Sequence, residues 1–162
     1  MPVHHDNADI GDSTISSSWR RARRRRLRIL LADGDLVHME LLSMMLEPDH
    51  AVIGALAEGA YVVEMIARAK PDIAIIDIGM PGFRGIAATW RLQQIAPETK
   101  LVVLTTDARF ECIRGVLSAG AMAYLVKPVS VAELHKAIAF VAQGGKYLPA
   151  SIAGGKPDIL MQ

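Results

Sequence analysis

Five short apolar runs recur along this chain, and each is followed by a stretch with apolar residues at helical spacing. The runs are "LRILLA", "AVIGALA", "DIAIID", "KLVVLT" and "AMAYLV". Their length suits strands, and the unbroken apolar character of "DIAIID" suits a strand covered on both faces. Between them, "LVHMELLSMMLE" puts Leu36, Met39, Leu42, Met45 and Leu46 on one helical stripe and stops at Pro48. "YVVEMIARA" ends before Pro71, "IAATWRLQQIA" closes at Pro97, "RFECIRGVLSAG" stops at Gly120, and "VAELHKAIAFVAQ" ends at Gly144. Proline and glycine are the residues that halt helices. Strand and helix alternating five times predict an α/β fold with a parallel sheet and right-handed crossovers. Met39, Met44 and Met45 read as core filling rather than as ligands.

A chain of 162 residues that is 51% hydrophobic and 22% charged has enough apolar surface for one domain with a real core. No apolar stretch approaches the roughly 20 residues that span a bilayer, so no membrane partner is expected. The N-terminus lacks the pattern of a secretory signal. Cys112 has no partner cysteine for an internal disulfide, which fits a reducing cytoplasm. Charge is uneven: residues 1–28 carry seven arginines against three aspartates, and the remainder is mildly acidic. Residues 1–26 read as a disordered, Arg-rich extension, residues 27–146 as the folded domain and residues 147–162 as a tail. In "WRRARRRR", a solvated tail is the preferred reading. Contact of Arg20–Arg26 with nucleic acid, with Trp19 stacking, is the weaker one.

In open parallel sheets, sites form beyond the carboxyl ends of the strands, near the point where strand order reverses. Strand one is followed by Asp33, strand three ends in Asp77, strand four in Thr105, and strand five runs into Lys127. Any one of these alone would read as a turn or cap residue. Together they suit phosphoryl transfer to a carboxylate. An aspartate can act as nucleophile and form an acyl phosphate. The transferred group is densely negative, so catalysis consists mainly of positioning and charge neutralisation. A Mg²⁺ ion held by carboxylates supplies part of that charge, a lysine ammonium another part, and a threonine hydroxyl donates a hydrogen bond.

"ILLAD", "PDIAIIDIGMPGFRG", "VVLTT" and "AGAMAYLVKP" resemble the receiver domain of bacterial two-component response regulators, from about Leu27 to Lys146. The resemblance implies a flavodoxin-like (βα)5 doubly wound parallel sheet with strand order 2-1-3-4-5. It implies Asp77 as the acceptor of a phosphoryl group from a histidine kinase or histidine phosphotransfer protein. Asp33, Asp77 and the backbone carbonyl of Gly79 would hold Mg²⁺. Thr105 and Lys127 would bind the phosphoryl group. Thr105 and Tyr124 would form the switch that remodels the surface of helix four, strand five and helix five for a downstream protein partner or a homodimer. Lys127–Pro128 matches a peptide that is usually cis in the family. Such a protein is a signalling phosphoacceptor and not an enzyme in the ordinary sense. "VVLTT", "GAMAYLVK" and the C-terminal "AIAFVAQGGKYLPASIA" resemble receivers of LuxR-type regulators and the linker that follows them. "GGKPDILMQ" is too short for a helix-turn-helix domain, so a stand-alone receiver is the expectation.

One position departs from the family pattern. Two adjacent acids normally follow strand one, and the second usually touches the metal; here that second position is Gly34, and Asp35 comes next. Two readings of Asp35 stay open: it replaces the missing ligand, or it caps the helix that starts at Leu36. The departure also keeps open a degenerate receiver that binds partners without phosphorylation. A haloacid dehalogenase type phosphatase, suggested by Asp33-Gly34-Asp35, lacks the acidic pair it needs after Lys127. Gly79 and Asp107 would flank the phosphoryl group. His4, His5, His38, His50 and His135 show no ligand spacing and read as surface residues, and Arg109 and Arg114 as a solvated face.

Overall fold

The computed structural model describes residues 25–154. Its strands are β1 (Arg28–Ala32), β2 (Ala51–Leu56), β3 (Ile73–Asp77), β4 (Lys100–Thr105) and β5 (Ala123–Val126). They form one parallel sheet in the order β2-β1-β3-β4-β5. The helices are α1 (Leu36–Leu46), α2 (Val62–Ala69), α3 (Gly85–Ile95), α4 (Phe110–Ser118), α5 (Val131–Ala142) and the short α6 (Ala150–Ala153). A 3-10 turn at Gly59–Tyr61 precedes α2. The order of the first five strand–helix units is the one expected, and α6 is an addition that four residues of sequence could not announce.

Alternate strand residues feed two cores. Ile29, Leu31, Ile73, Ile75, Val102 and Leu104 pack with Leu42 and Leu46 of α1 and with Leu134, Ile138 and Val141 of α5. Leu30, Ala32, Ala74, Ile76, Leu101 and Val103 pack with α2, α3 and α4 on the opposite face. A strand points successive side chains to opposite faces, so a sheet covered twice needs apolar residues at every position. Met39 and Met45 pack against the first core, as expected for filler. Met44 does not: it lies on the opposite side of α1 from Leu42 and Leu46 and is exposed.

Local chemistry sets the helix starts. Asp35 Oδ1 accepts from Val37 N at 2.9 Å and His38 N at 3.1 Å, capping α1. Ser130 Oγ accepts from Glu133 N at 3.1 Å and caps α5. Gly59 is required by close approach: a Cβ there would sit 2.2 Å from Phe83 N and 2.6 Å from Pro81 O. Its own N–H donates to Pro81 O at 3.1 Å, which ties the loop after β3 to the start of α2.

Both ends of the folded unit reach further than the sequence suggested. Most of the expected disordered extension, including Trp19, lies outside the described residues. Arg25 and Arg26 are within them and lie against the domain. Arg25 grips Asp72 at 2.8 and 3.1 Å, and Arg26 donates to the carbonyls of Glu47 and His50 at 2.6 and 2.7 Å. Arg28 donates to Ala69 O and Lys70 O, both at 2.9 Å. The last carbonyls of a helix lack internal partners and carry partial negative charge, so cations settle there. At the other end, Tyr147 N donates to Met122 O at 2.8 Å, and Tyr124 N donates to Tyr147 O at 3.3 Å. Tyr147 and Leu148 are buried, so the segment read as a tail begins inside the core. His50 and His135 are not simple surface residues either: their rings stack at 5.7 Å, and His135 Nε2 bonds to Met45 O at 2.9 Å.

Tyr147→Ala removes a buried ring from this closing segment. It is expected to cost about 2 kcal/mol or more in urea unfolding. A loss under about 0.5 kcal/mol would mean that the segment is not part of the cooperative unit.

Candidate functional site

The sheet reverses direction of growth between β1 and β3. Ala32 of β1 pairs with Ile76 of β3, so Asp33 and Asp77 come next on adjacent strands at the carboxyl edge. Lys127 follows β5 after Val126, which pairs with Thr105. Backbone bonds fix these positions: Asp33 N donates to Leu56 O at 3.0 Å, Ile78 N to Leu104 O at 3.3 Å and Lys127 N to Thr105 O at 2.8 Å. The Lys127–Pro128 peptide is cis.

Lys127 Nζ donates to Asp33 Oδ2 at 2.8 Å and to Asp77 Oδ2 at 2.9 Å. The Asp33 side chain is 2% exposed, Lys127 14% and Asp77 18%, so the cluster is buried on one side and open at Asp77. Asp77 Oδ1 accepts from Gly79 N at 2.8 Å, which aims the carboxylate. Burial pushes the Asp33 carboxyl up, but hydrogen bonds from Lys127, Asp35 N and His38 outweigh it and hold the group below its ordinary 3.8. Burial pushes the Lys127 ammonium down, and its bonds to Asp33 and Asp77 outweigh that and lift it above 10.5. Asp33 and Lys127 therefore form a charged pair at neutral pH.

Thr105 is 3% exposed, and its Oγ1 accepts from Asp107 N at 3.1 Å. The buried Tyr124 hydroxyl donates to the carbonyl of the same residue, Asp107. Burial and the Asp107 charge push the Tyr124 phenol well above its ordinary range. The two expected switch residues are thus joined through the two ends of one residue's backbone. The Asp107 carboxylate faces elsewhere: Arg109 grips it through Nε and Nη2 at 2.6 to 3.0 Å, and the Cys112 thiol donates to it at 3.2 Å. Arg109 is thereby an ion-pair partner and not merely a solvated charge. The hydrogen bond to Asp107 pushes the Cys112 thiol up.

His38 belongs to the site, contrary to the expectation of a surface residue. Its Nδ1 lies 2.5 Å from Asp33 Oδ2. An isolated histidine five residues beyond an acid gives no sequence signal; a turn followed by the first turn of α1 folds it back. Asp35 is seen in its capping role. Gly34 leaves room: a Cβ there would meet Pro81 Cδ at 3.4 Å and Met80 Cβ at 3.7 Å, ordinary contact distances.

The donors available to a cation are hard oxygens: two carboxylates that share a single ammonium, and the Gly79 carbonyl. Among the described residues no three His, Cys, Asp or Glu side chains form a metal-holding group. Mg²⁺ usually takes one or two carboxylates and keeps several waters, so this set fits it.

Residues 29–139 match the response regulator receiver domain. The chain belongs to that family. It is 38% identical over 114 residues to the transcriptional regulatory protein PdtaR of Mycobacterium tuberculosis, covering 68% of this chain and 54% of that protein. It is 32% identical over 130 residues to the transcriptional regulatory protein LiaR of Bacillus subtilis, covering 79% and 62%. The chain thus spans between half and two thirds of the length of these relatives. Among solved structures it is similar to a LuxR-family response regulator from Aurantimonas sp. SI85-9A1, with TM-score 0.75 and 26% identity over 80% of this chain and 94% of that one. The isolated receiver domain of RcsB from Salmonella enterica superposes with TM-score 0.73 at 20% identity, over 80% and 98%, a likeness of fold. Membership of the receiver family, its fold and the strand order are therefore properties of this chain. Among the described residues, no helix is long and apolar enough to cross a membrane.

The charge cluster makes a pH prediction. Asp33, with its lowered pKa, adds stability that is present above its unfolded pKa near 3.8 and lost as pH falls through the folded value. Lys127, with its raised pKa, adds stability that is present below 10.5 and lost as pH rises through the folded value. Lys127→Met leaves two carboxylates facing each other. Its deficit against wild type in urea unfolding is expected to be largest between about pH 5 and 9 and to shrink towards both extremes. A deficit that stays flat across that range would mean that the charges are not coupled.

Proposed function

We propose that this chain accepts a phosphoryl group on Asp77 from a phosphohistidine of a histidine kinase or histidine phosphotransfer protein. The observation that carries this reading is the bridging of Asp33 Oδ2 and Asp77 Oδ2 by Lys127 Nζ at the carboxyl edge of the sheet. An Asp77 carboxylate oxygen attacks phosphorus, an O–P bond forms, and the N–P bond of the phosphohistidine breaks. The donor imidazole leaves with the electron pair and is protonated. Asp77 is the more open of the two acids, and Gly79 N keeps one of its oxygens fixed. Lys127 stays beside the new acyl phosphate and neutralises part of its charge. The Thr105 hydroxyl, at the end of the neighbouring strand, accepts from Asp107 N and has its own hydrogen left to donate to a phosphoryl oxygen.

Mg²⁺, when bound by Asp33, Asp77 and the Gly79 carbonyl, supplies charge neutralisation to the transferred group. A change at Thr105 reaches Tyr124 through Asp107, and Tyr124 sits in β5 between α4 and α5. That route supports a switch of the α4-β5-α5 surface that controls a downstream protein or a homodimer. The chain then works as a phosphoacceptor with self-dephosphorylation at most, in the cytoplasm. The second reading, a phosphorylation-independent interaction module, is favoured by Gly34 alone.

Incubation with acetyl phosphate and Mg²⁺ is expected to add one phosphoryl group to the wild-type protein, read by intact mass. Asp77→Asn should abolish it. Absence of incorporation in the wild type would favour the degenerate reading. Gly34→Asp, which the space at that position admits, should tighten Mg²⁺ by about tenfold in calorimetry, because it adds a carboxylate to the cation site. An unchanged affinity would place the cation away from the end of β1.

A further inference from the structure

Among the described residues, His38 is the side chain in contact with the acidic cluster to which the proposed phosphotransfer gives no task. It occupies the third position of α1, behind the Asp35 cap, and is 22% exposed. Its Nδ1 lies on Asp33 Oδ2, the oxygen that also accepts from Lys127 Nζ. An ionised carboxylate only accepts, so the Nδ1 carries the proton and donates it. Asp33 Oδ1 is engaged as well, accepting from Asp35 N at 2.8 Å. A carboxylate offers about four lone-pair sites. Three of those of Asp33 are taken, and both on Oδ2 are among them. Asp77 is less occupied: one oxygen accepts from Gly79 N and the other from Lys127 Nζ.

A cation arriving at this cluster meets an asymmetry. Gly34 supplies no carboxylate, and Asp35 Oδ1 is held by the first amides of α1. Asp33 is then the acid that the end of β1 can offer. Direct or water-mediated use of its Oδ2 requires one of two donors to leave. Lys127 is anchored by two carboxylates, whereas His38 holds this one oxygen and reaches it from a partly open helix turn.

We propose that His38 is a resident competitor for the divalent cation: its imidazole occupies Asp33 Oδ2, and use of that oxygen by the cation requires that hydrogen bond to break. His38 is on this account a positioning residue that sets the affinity of the site for Mg²⁺. It rests on the cation site proposed above. It adds that the affinity is limited by a side chain of this chain and not only by the missing acid at Gly34.

Calorimetric Mg²⁺ titration of the full, unphosphorylated chain tests this. His38→Ala should bind Mg²⁺ about tenfold more tightly than wild type, the factor expected for removing one competing charge-assisted hydrogen bond. His38→Asn, whose amide can donate to the same oxygen, should bind as wild type does. A His38→Ala affinity equal to or weaker than wild type overturns the proposal, as does absence of Mg²⁺ binding in both. In the wild type itself, the hydrogen-bonded Nδ1–H resonance of His38 should be lost as Mg²⁺ saturates the site. Its persistence at saturation overturns the proposal without any variant needing to fold. Acetyl phosphate labelling of the same proteins separates the two readings. Tighter Mg²⁺ in His38→Ala without labelling sinks phosphoacceptance and leaves the competition standing. Normal labelling with unchanged Mg²⁺ affinity does the reverse.

Discussion

One ammonium shared between two carboxylates organises this protein. Asp33 and Asp77 end adjacent strands and would repel each other across the switch point of the sheet. Lys127, delivered from β5 on the far side of β4, reaches both at 2.8 and 2.9 Å. Exposed ion pairs contribute little to stability, but these groups are largely withdrawn from water, where an unpaired charge is expensive. The three must therefore be assembled together. Every backbone bond that fixes strand ends β1, β3, β4 and β5 serves that assembly. The formal balance left over is one negative charge, which suits an additional cation.

Around this cluster, the same few residues bear several constraints. The backbone of Asp107 touches Thr105 through its N–H and Tyr124 through its carbonyl, while its carboxylate is tied to Arg109 and Cys112. A loop so held cannot shift at one end without disturbing the other. That gives the proposed switch a physical route from the carboxyl edge of the sheet to the α4-β5-α5 surface. On the other side of the site, α1 begins with a cap from Asp35 and turns His38 back onto Asp33. Helix start and acidic cluster are thus one structure, and the glycine at 34 lies between them.

The acids and the lysine were legible because each stands at a strand end where its neighbours are apolar. A polar residue at the edge of a continuous apolar run stands out, and four such edges pointed to one place. His38 was not legible, because a single histidine on an amphipathic helix carries no pattern. Asp35 was ambiguous in the sequence, since the same residue type serves as cap and as ligand; its bonds to Val37 N and His38 N show the cap. Arg25 and Arg26 looked like part of a solvated charge run, yet the carbonyl ends of the first helix and the Asp72 carboxylate hold them. Tyr147 sat in a segment that looked like linker because a single strand-edge bridge leaves no periodicity.

By itself the sequence determined the alternation of strands and helices, the parallel sheet and the strand ends where the polar groups gather. These follow from local pattern: period, apolar continuity, and the proline and glycine stops. Only the tertiary structure decided which side chains touch across those strand ends. It put one lysine between two aspartates, a histidine on the buried acid and a tyrosine on the loop of the threonine. Such contacts join residues as far apart in the chain as Asp33 and Lys127, and no local pattern encodes a distance that depends on how the whole sheet closes.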